Sequence, residues 1–432
     1  MMRAAACLVN NIQETMTHSR TVIVSAAVVA LVTAAPGRAQ VDQARAASYF
    51  REAAALCAAD SGKLWGVSLC GPIVIADPAT GTIATSEPAP AAQRPAALGF
   101  ANAAMEWGGT RWTTLVWQFV PTDAHARGRL LVHELFHRVQ PQLKLFVRDV
   151  PNDHLDTEDG RFWMQLEWRA LARALKTNDA GRRTALADAL AFRAARRAVF
   201  AGAAESERLL EIQEGLAQYT GTVVASGSHL VAIADAIDQL ERAAGTPTFV
   251  RTFAYPSGAA YGLLLDEYAP GWTRRISPAD DLGALVGTAS GISAAAGANE
   301  RAAAYGGSEL RATERTREVQ RQARIAELRR KFVDGPVLIV PFASGAAFTT
   351  TGMTPLPGVG TIYPGYRVTA EWGSLQADQA LVVTDPRMVV LTAPTKSEGS
   401  TLTGDGWSLT RAAGWAVRPG ARTGDLQLIK ER

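Results

Sequence analysis

The chain is expected to be an α+β protein, and three stretches of sequence predict it. Between Pro72 and Val120, short β-branched and aromatic runs alternate with turn residues. From about Ala124 to Glu267, apolar residues recur at helical spacing. From Gly335 onward the composition shifts to Gly, Pro, Thr and Val. A strand-rich N-terminal layer (40–123), a helical lobe (124–333) and a small C-terminal β domain (334–432) follow from these shifts. The length of 432 residues fits such a division, since one domain typically takes roughly 100–200.

The first residues read as a leader. Thr21 to Ala35 is apolar and uncharged, with Arg20 before it and Pro36-Gly37 after it. A bilayer span needs roughly 20 apolar residues, so this run fits the core of a secretory signal better than a membrane helix. Gly37-Arg38-Ala39 then supplies a small-x-small cleavage site, and residues 1–39 are read as a signal peptide with a possible start at Met16. A secreted or periplasmic protein without stable membrane insertion is expected. Cleavage leaves Cys57 and Cys70, an even pair that suggests a disulfide in an oxidising compartment. The net charge of +3 gives no reason to expect nucleic acid as a partner. Basic clusters at Arg182-Arg183, Arg193, Arg196-Arg197 and Arg329-Arg330-Lys331 read as solvated helix faces.

Taken in order, Val41 to Ala59 is an Ala-rich helix, and Pro72 to Ala76 with Thr82 to Ser86 forms a hairpin about Pro78 to Gly81. Trp112 to Val120 reads as a buried strand ending at Pro121. Helices are expected at Ala126 to Gln140, stopped by Pro141, and then at Gly160 to Lys176, Arg182 to Phe200 and Ala204 to Tyr219. Gly221 is read as the stop of the last of these. Glu309 to Phe332 is a charged helix with a thin apolar stripe of Val319, Leu328 and Phe332. Short apolar runs at Val337 to Pro341, Arg367 to Trp372 and Ala380 to Val383 give the C-terminal strands.

His133-Glu134-Leu135-Phe136-His137 is the strongest chemical signal. Residues i and i+4 share a helix face, so both imidazoles reach one ion, and Glu134 falls to the side as a base. Neutral imidazoles at this spacing point to zinc, whose bound water loses a proton near pH 7. Such a site needs a third protein ligand. Two acids qualify on their own residues. Glu214 shares a face with Leu210, Ala217 and Gly221, small enough at two positions for close approach to the His133 helix. Glu167 lies on the apolar stripe of Trp163, Leu166, Ala170 and Ala174, where a buried acid needs a partner: zinc, a histidine or Arg169.

His-Glu-Leu-Phe-His followed by Glu214-Gly215-Leu216-Ala217-Gln218-Tyr219 resembles the gluzincin metallopeptidases, in which an E-G-x-A-x-Y helix supplies the third zinc ligand. The resemblance implies a zincin-like helical lobe, zinc held by His133, His137 and Glu214, and Glu134 as general base on a peptide or protein substrate. Tyr255-Pro256-Ser257-Gly258 resembles the Y-x-x-G of aminopeptidase-N-type members, implying that Tyr255 stabilises the oxyanion. Ala103-Ala104-Met105-Glu106-Trp107 is similar to their G-x-M-E-N, implying that Glu106 holds a substrate amino terminus. There are departures. Residues 138–213 form a long spacer, of the kind found in other families grouped as peptidase MA-like. Glu211 stands where an aromatic is usual, and Ala103 and Trp107 replace Gly and Asn. The resemblance covers about Ala103 to Trp272. A second reading is a non-catalytic exported protein with a structural or degenerate zinc site and a partner-binding β domain. His154 and His229 read as loop residues, and His125 as a cap of the motif helix.

Overall fold

The computed structural model describes residues 40–431 except 96, 97, 100, 149, 151, 350 and 351, so the expected leader over residues 1–39 lies outside the described residues. The architecture is α+β. Helix α1 (Gln43–Asp60) begins at Asp42, whose side chain caps the first turn, and leads into a four-stranded sheet. Its strands are β1 (Ile73–Ala76), β2 (Ile83–Thr85), β3 (Ala103–Trp107) and β4 (Thr110–Val116), in spatial order β2-β1-β4-β3. β1 and β4 are parallel, and the other two pairs are antiparallel. Ile73, Ile75 and Leu115 face the main core, while Val74, Trp107 and Trp112 form a small cluster on the opposite face. Both faces are covered, which is why β1 reads as an unbroken apolar run rather than an alternating one.

Two expectations about this sheet need correcting. The strand expected to run to Val120 ends at Val116, and Trp117–Phe119 form a 3-10 turn. The edge strand beside β4 is β3, a strand beyond those the sequence predicts. Gly108 and Gly109 join it to β4, both with positive φ (60° and 76°), the backbone that a two-residue hairpin turn demands.

Helix α2 (Ala124–Val139) lies across β3 and β4. Asp123 caps it by accepting from the Ala126 N–H at 2.8 Å, and Pro141 bars its extension. Leu131, Leu135, Phe136 and Val139 are buried in the main core. Each such burial contributes about 1.5–3 kcal/mol, against about 1 kcal/mol for the cap, so packing rather than capping holds this helix. There follow α3 (Glu158–Lys176), α4 (Asp179–Val199), α5 (Ala203–Leu210), α6 (Leu216–Ser226), α7 (His229–Ala243), α8 (Ala254–Tyr268), α9 (Leu282–Ser290), α10 (Ala298–Ala302) and α11 (Gly307–Arg329). Gly221 does not stop α6, which runs on to a left-handed Gly227. A Cβ on Gly221 would sit 2.5 Å from the Arg129 carbonyl, so this glycine is a contact point between α6 and α2.

The C-terminal strands are β5 (Val337–Pro341), β6 (Thr354–Leu356), β7 (Gly360–Ala370), β8 (Gly373–Thr384), β9 (Arg387–Thr392), β10 (Lys396–Glu398), β11 (Thr401–Gly404), β12 (Trp407–Arg411), β13 (Trp415–Pro419) and β14 (Leu426–Lys430). They form one sheet along the path β10-β11-β12-β8-β9-β5-β14-β13, with β7 on β8 and β6 on β7. Its core holds Trp372, Trp407 and Trp415. The apolar packing changes hands inside α11. Leu310 belongs to the main core, whereas Ile325, Leu328 and, just past the helix, Phe332 pack with Val337, Ile362, Leu381 and Val390. Val319, counted in the apolar stripe, is exposed.

Cys57 of α1 and Cys70 form a disulfide, as the sequence suggests. The loop it closes is caught by α2, where Arg138 Nη2 donates to the carbonyls of Leu69 (3.3 Å) and Cys70 (2.6 Å). A sequence separation of 13 implies roughly 3 kcal/mol from restriction of the unfolded chain. The double variant Cys57→Ser, Cys70→Ser is expected to lose about that much in urea denaturation, and an unchanged midpoint would refute the estimate.

Candidate metal centre

Helices α2 and α6 run in opposite directions. Arg129 faces Gly221, His133 faces Gln218, and Gln140 faces the turn just before α6. This brings the sequence-distant Glu214 to the histidine pair. His133 Nε2 and His137 Nε2 lie 3.1 Å apart, and Glu214 Oε2 lies 3.5 Å from each. Donors about 2.0–2.1 Å from a tetrahedral ion stand roughly 3.3 Å apart, so this spacing fits a shared metal. Among the described residues, His133, His137 and Glu214 are the group that could hold an ion.

The imidazoles are oriented by two glutamines absent from the expected site. Gln140 is fully buried, and its amide nitrogen donates to the carbonyls of Leu145, Ile212 and Gln213 at 3.1–3.2 Å. Its oxygen must therefore face His137, accepting from Nδ1–H at 2.9 Å. Gln218 Oε1 accepts from His133 Nδ1–H at 3.2 Å, and its amide donates to Gln239. With each Nδ1–H held by a glutamine oxygen, the two Nε2 atoms are the ones turned to the centre, where an ion would take their lone pairs once the shared proton leaves. The sequence signal was present: Gln140 is one helical turn after His137, and Gln218 is one turn after Glu214.

Glu214 sits on a π-helical turn, Glu211–Gly215, between α5 and α6, where one continuous helix was expected. The extra residue per turn is a local distortion of the kind often found at functional sites. Gly215 meets Gly258 of α8 backbone to backbone, since a Cβ on Gly258 would fall 2.2 Å from the Gly215 Cα. That contact sets Tyr255, one turn earlier on α8, over the ligands. Its ring stacks on His133 with centroids 5.5 Å apart, and its hydroxyl donates to Glu214 Oε2 at 2.8 Å. Arg251 Nη2 donates to Glu214 Oε1 at 3.3 Å.

Glu134 is buried, and its Oε2 has no hydrogen-bond partner among the described residues. Burial raises its pKa, and the neighbouring His133 and His137 only partly oppose that. For His137, burial acts downward, but the hydrogen bond and charge of Glu214 outweigh it and push the imidazole up to about 9. Glu214 is held far below the usual carboxylate range, because the two histidines outweigh the upward pull of burial. Burial and the adjacent Glu214 keep Tyr255 protonated.

Behind this centre lies a buried ionic network that the sequence reading placed in solvent. Arg193 and Arg196 of α4 are buried, not solvated. Arg193 donates to Glu211 (2.8 Å), Glu167 (3.1 Å) and Asp281 (3.0 Å), and Arg196 chelates Glu207 at 2.7 and 2.9 Å and also meets Glu167. Tyr261 of α8 donates to Glu167 at 2.7 Å. Glu167 is thus neutralised by arginines rather than by a metal, and its expected partner Arg169 instead donates to the Tyr305 carbonyl.

Other expected residues fall elsewhere. Glu106 lies on β3 with its side chain 63% exposed, 3.4 Å from Arg111, and does not line the cavity at the ligands. The outward register of β3 at that position is the reason, and the amine-holding role implied for it lacks a placement. His154 contacts Glu207 at 2.9 Å within the ionic network. His229 opens α7, and His125 pairs with Asp235, the cap of α2 being Asp123. A cavity of about 390 Å³ does open onto the site, lined by Asn102, Phe119, Pro121, Ala126, Arg129 and Leu130 beside His133, Glu134, Gln218 and Tyr255. No family model, curated protein or solved structure matches the chain.

Two outcomes follow from this geometry. Glu214→Gln is expected to abolish metal binding, whereas Glu167→Gln keeps the metal and loses about 3–5 kcal/mol by unbalancing buried charges. Metal analysis alongside urea denaturation separates them, and the reverse pattern would move the third ligand to Glu167. The second concerns pH. In the metal-free chain the His137 proton stabilises the fold fully below the unfolded value of 6.5 and is lost as pH rises through about 9. The Glu214 charge acts oppositely, stabilising above 4.5 and failing as acid protonates it. A metal must displace the His137 proton, so affinity in chelator competition is expected to climb with pH up to about 9 and then level off. A flat profile would contradict this.

Proposed function

We propose that the protein is an exported zinc-dependent peptidase of gluzincin type. The observation carrying this reading is the unpartnered Oε2 of Glu134, buried beside two imidazoles and a carboxylate that fit one ion. A purely structural site gains nothing from an orphaned buried carboxylate, which costs stability, whereas a general base needs one. Two neutral nitrogens and one carboxylate are a donor set suited to zinc, with a position left for water or substrate. Export is supported by the Cys57–Cys70 disulfide, a bond that persists in oxidising compartments. No helix among the described residues is long and apolar enough to cross a membrane.

Zinc at this site supplies Lewis acidity that makes water a nucleophile near neutral pH and polarises the substrate carbonyl. The chain's own residues do the rest. Gln140 and Gln218 fix the tautomers of His137 and His133. Glu134 takes a proton as the water oxygen bonds to the carbonyl carbon. It then delivers that proton to the nitrogen as the C–N bond breaks, leaving a carboxylic acid and an amine. Tyr255, kept protonated and stacked on His133, is a donor for the developing oxyanion once its hydroxyl turns from Glu214.

Glu134→Gln is expected to retain zinc and to lose hydrolysis by about 10²–10⁴-fold, because an amide cannot accept the proton. Tyr255→Phe should fall less, and mainly in kcat, since an oxyanion donor acts only in the transition state. Metal content and rates on a peptide library check both. Equal rates for Glu134→Gln and wild type would end the peptidase reading.

A further inference from the structure

We infer that the site takes an uncharged interior stretch of polypeptide carrying an apolar side chain, and not a free amino terminus; the inference rests on the peptidase reading above. An enzyme that trims amino termini must receive an ammonium group inside its cleft, and an ammonium without a carboxylate partner there is costly. Of the residues lining the cavity, Glu134 alone is acidic, and its role is to exchange a proton. Glu106, on the edge strand β3, is turned to solvent against Arg111.

The neutral polar groups of the cavity point the same way. Asn102 Oδ1 accepts from the Val116 N–H at 2.9 Å, which leaves its amide N–H groups for the cavity. The oxygen of Gln218 is engaged by His133, and the side chain of Arg129 is a cation held by Asp235. The one O–H of Tyr255 is directed at Glu214 and reaches the cavity only on turning from it. Beside the proton-exchanging Glu134, the cleft therefore offers the Asn102 amide and the Arg129 cation but no second carboxylate, which suits peptide carbonyls and opposes an ammonium. Its remaining wall is Phe119, Pro121, Ala126 and Leu130. Ala126, Leu130 and His133 recur along one face of α2, so this apolar wall runs directly to a metal ligand. Phe119, 65% exposed, stands at its mouth.

The test uses zinc-loaded wild type for cleavage and zinc-loaded Glu134→Gln for binding, with matched short fluorescent peptides bearing a free or an acetylated amino terminus. Wild type should cut at interior bonds, mapped by mass spectrometry on a reduced and alkylated unfolded protein, with one position beside the cut enriched in apolar residues. Acetylation should not weaken binding to Glu134→Gln. Leu130→Asp should weaken it by about 10–200-fold with unchanged zinc content, the range for losing one apolar pocket contact. Phe119→Asp, at an exposed position, serves if Leu130→Asp does not fold. Glu106→Gln should change neither cleavage nor binding. Stepwise release of single amino-terminal residues, or loss of binding on acetylation, would overturn the inference while leaving the peptidase reading intact. Peptide binding with this pattern but no cleavage by wild type would overturn the peptidase reading alone. Absence of binding to either form would overturn both.

Discussion

The arginines of α4 are the constraint on which the rest of this molecule depends. Arg193 and Arg196 carry full charges at buried positions, and Glu167, Glu207, Glu211 and Asp281 gather around them from α3, α5, the π turn and the cap of α9. A buried charge is tolerable only with well-placed partners, and removing one partner typically costs 3–5 kcal/mol. Four elements are thereby required to meet at fixed distances. Glu211 is three residues before Glu214 on the same turn, so the geometry that neutralises Arg193 also places the third donor of the metal centre.

From the other side, α8 completes the arrangement by contact rather than charge. Gly215 and Gly258 leave no room between the π turn and α8, and Tyr261, one turn further along, is tied to Glu167 in the ionic network. Tyr255 is therefore positioned at one end of a helix whose middle is fixed twice. The two glutamines close the remaining freedom by holding the imidazoles in one tautomer. The donor atoms of the centre are thereby held together by the fold itself.

Much of this was legible in the sequence, for physical reasons. The i, i+4 histidines and the proline-terminated helix are local patterns, and Gly221 and Ala217 beside Glu214 signalled close helix packing, although the cap fell to Asp123 rather than His125. The paired cysteines were local too. The failures concern partners distant in sequence. Arg193 and Arg196 share a face with Ala185, Leu186, Ala189 and Phe192, which could have marked them as buried, but the acids they meet come from separate elements. The π turn escaped because Leu210, Ile212, Leu216, Ala217 and Tyr219 around it are all buried, so the phase shift of one inserted residue leaves no clear mark on the apolar pattern. Glu106 matched a motif by type, yet the register of a strand decides which way a side chain points, and one residue of shift reverses it.

Helix α11 joins the metal-bearing lobe to the C-terminal sheet by packing in both. Its first half supplies Leu310 to the main core and Glu314 to the buried Arg161, at 2.9 Å, while its last turns carry Ile325 and Leu328 into the sheet's own packing. Melting the sheet would fray the end of that helix, and fraying that passed Glu314 would strand Arg161 without its carboxylate. The two regions are thus links in one cooperative unit, and the sheet serves as a clasp on the lobe as well as a surface of its own. A chain cut at residue 334 would keep every residue of the metal centre and still lose the anchor of the helix that steadies it.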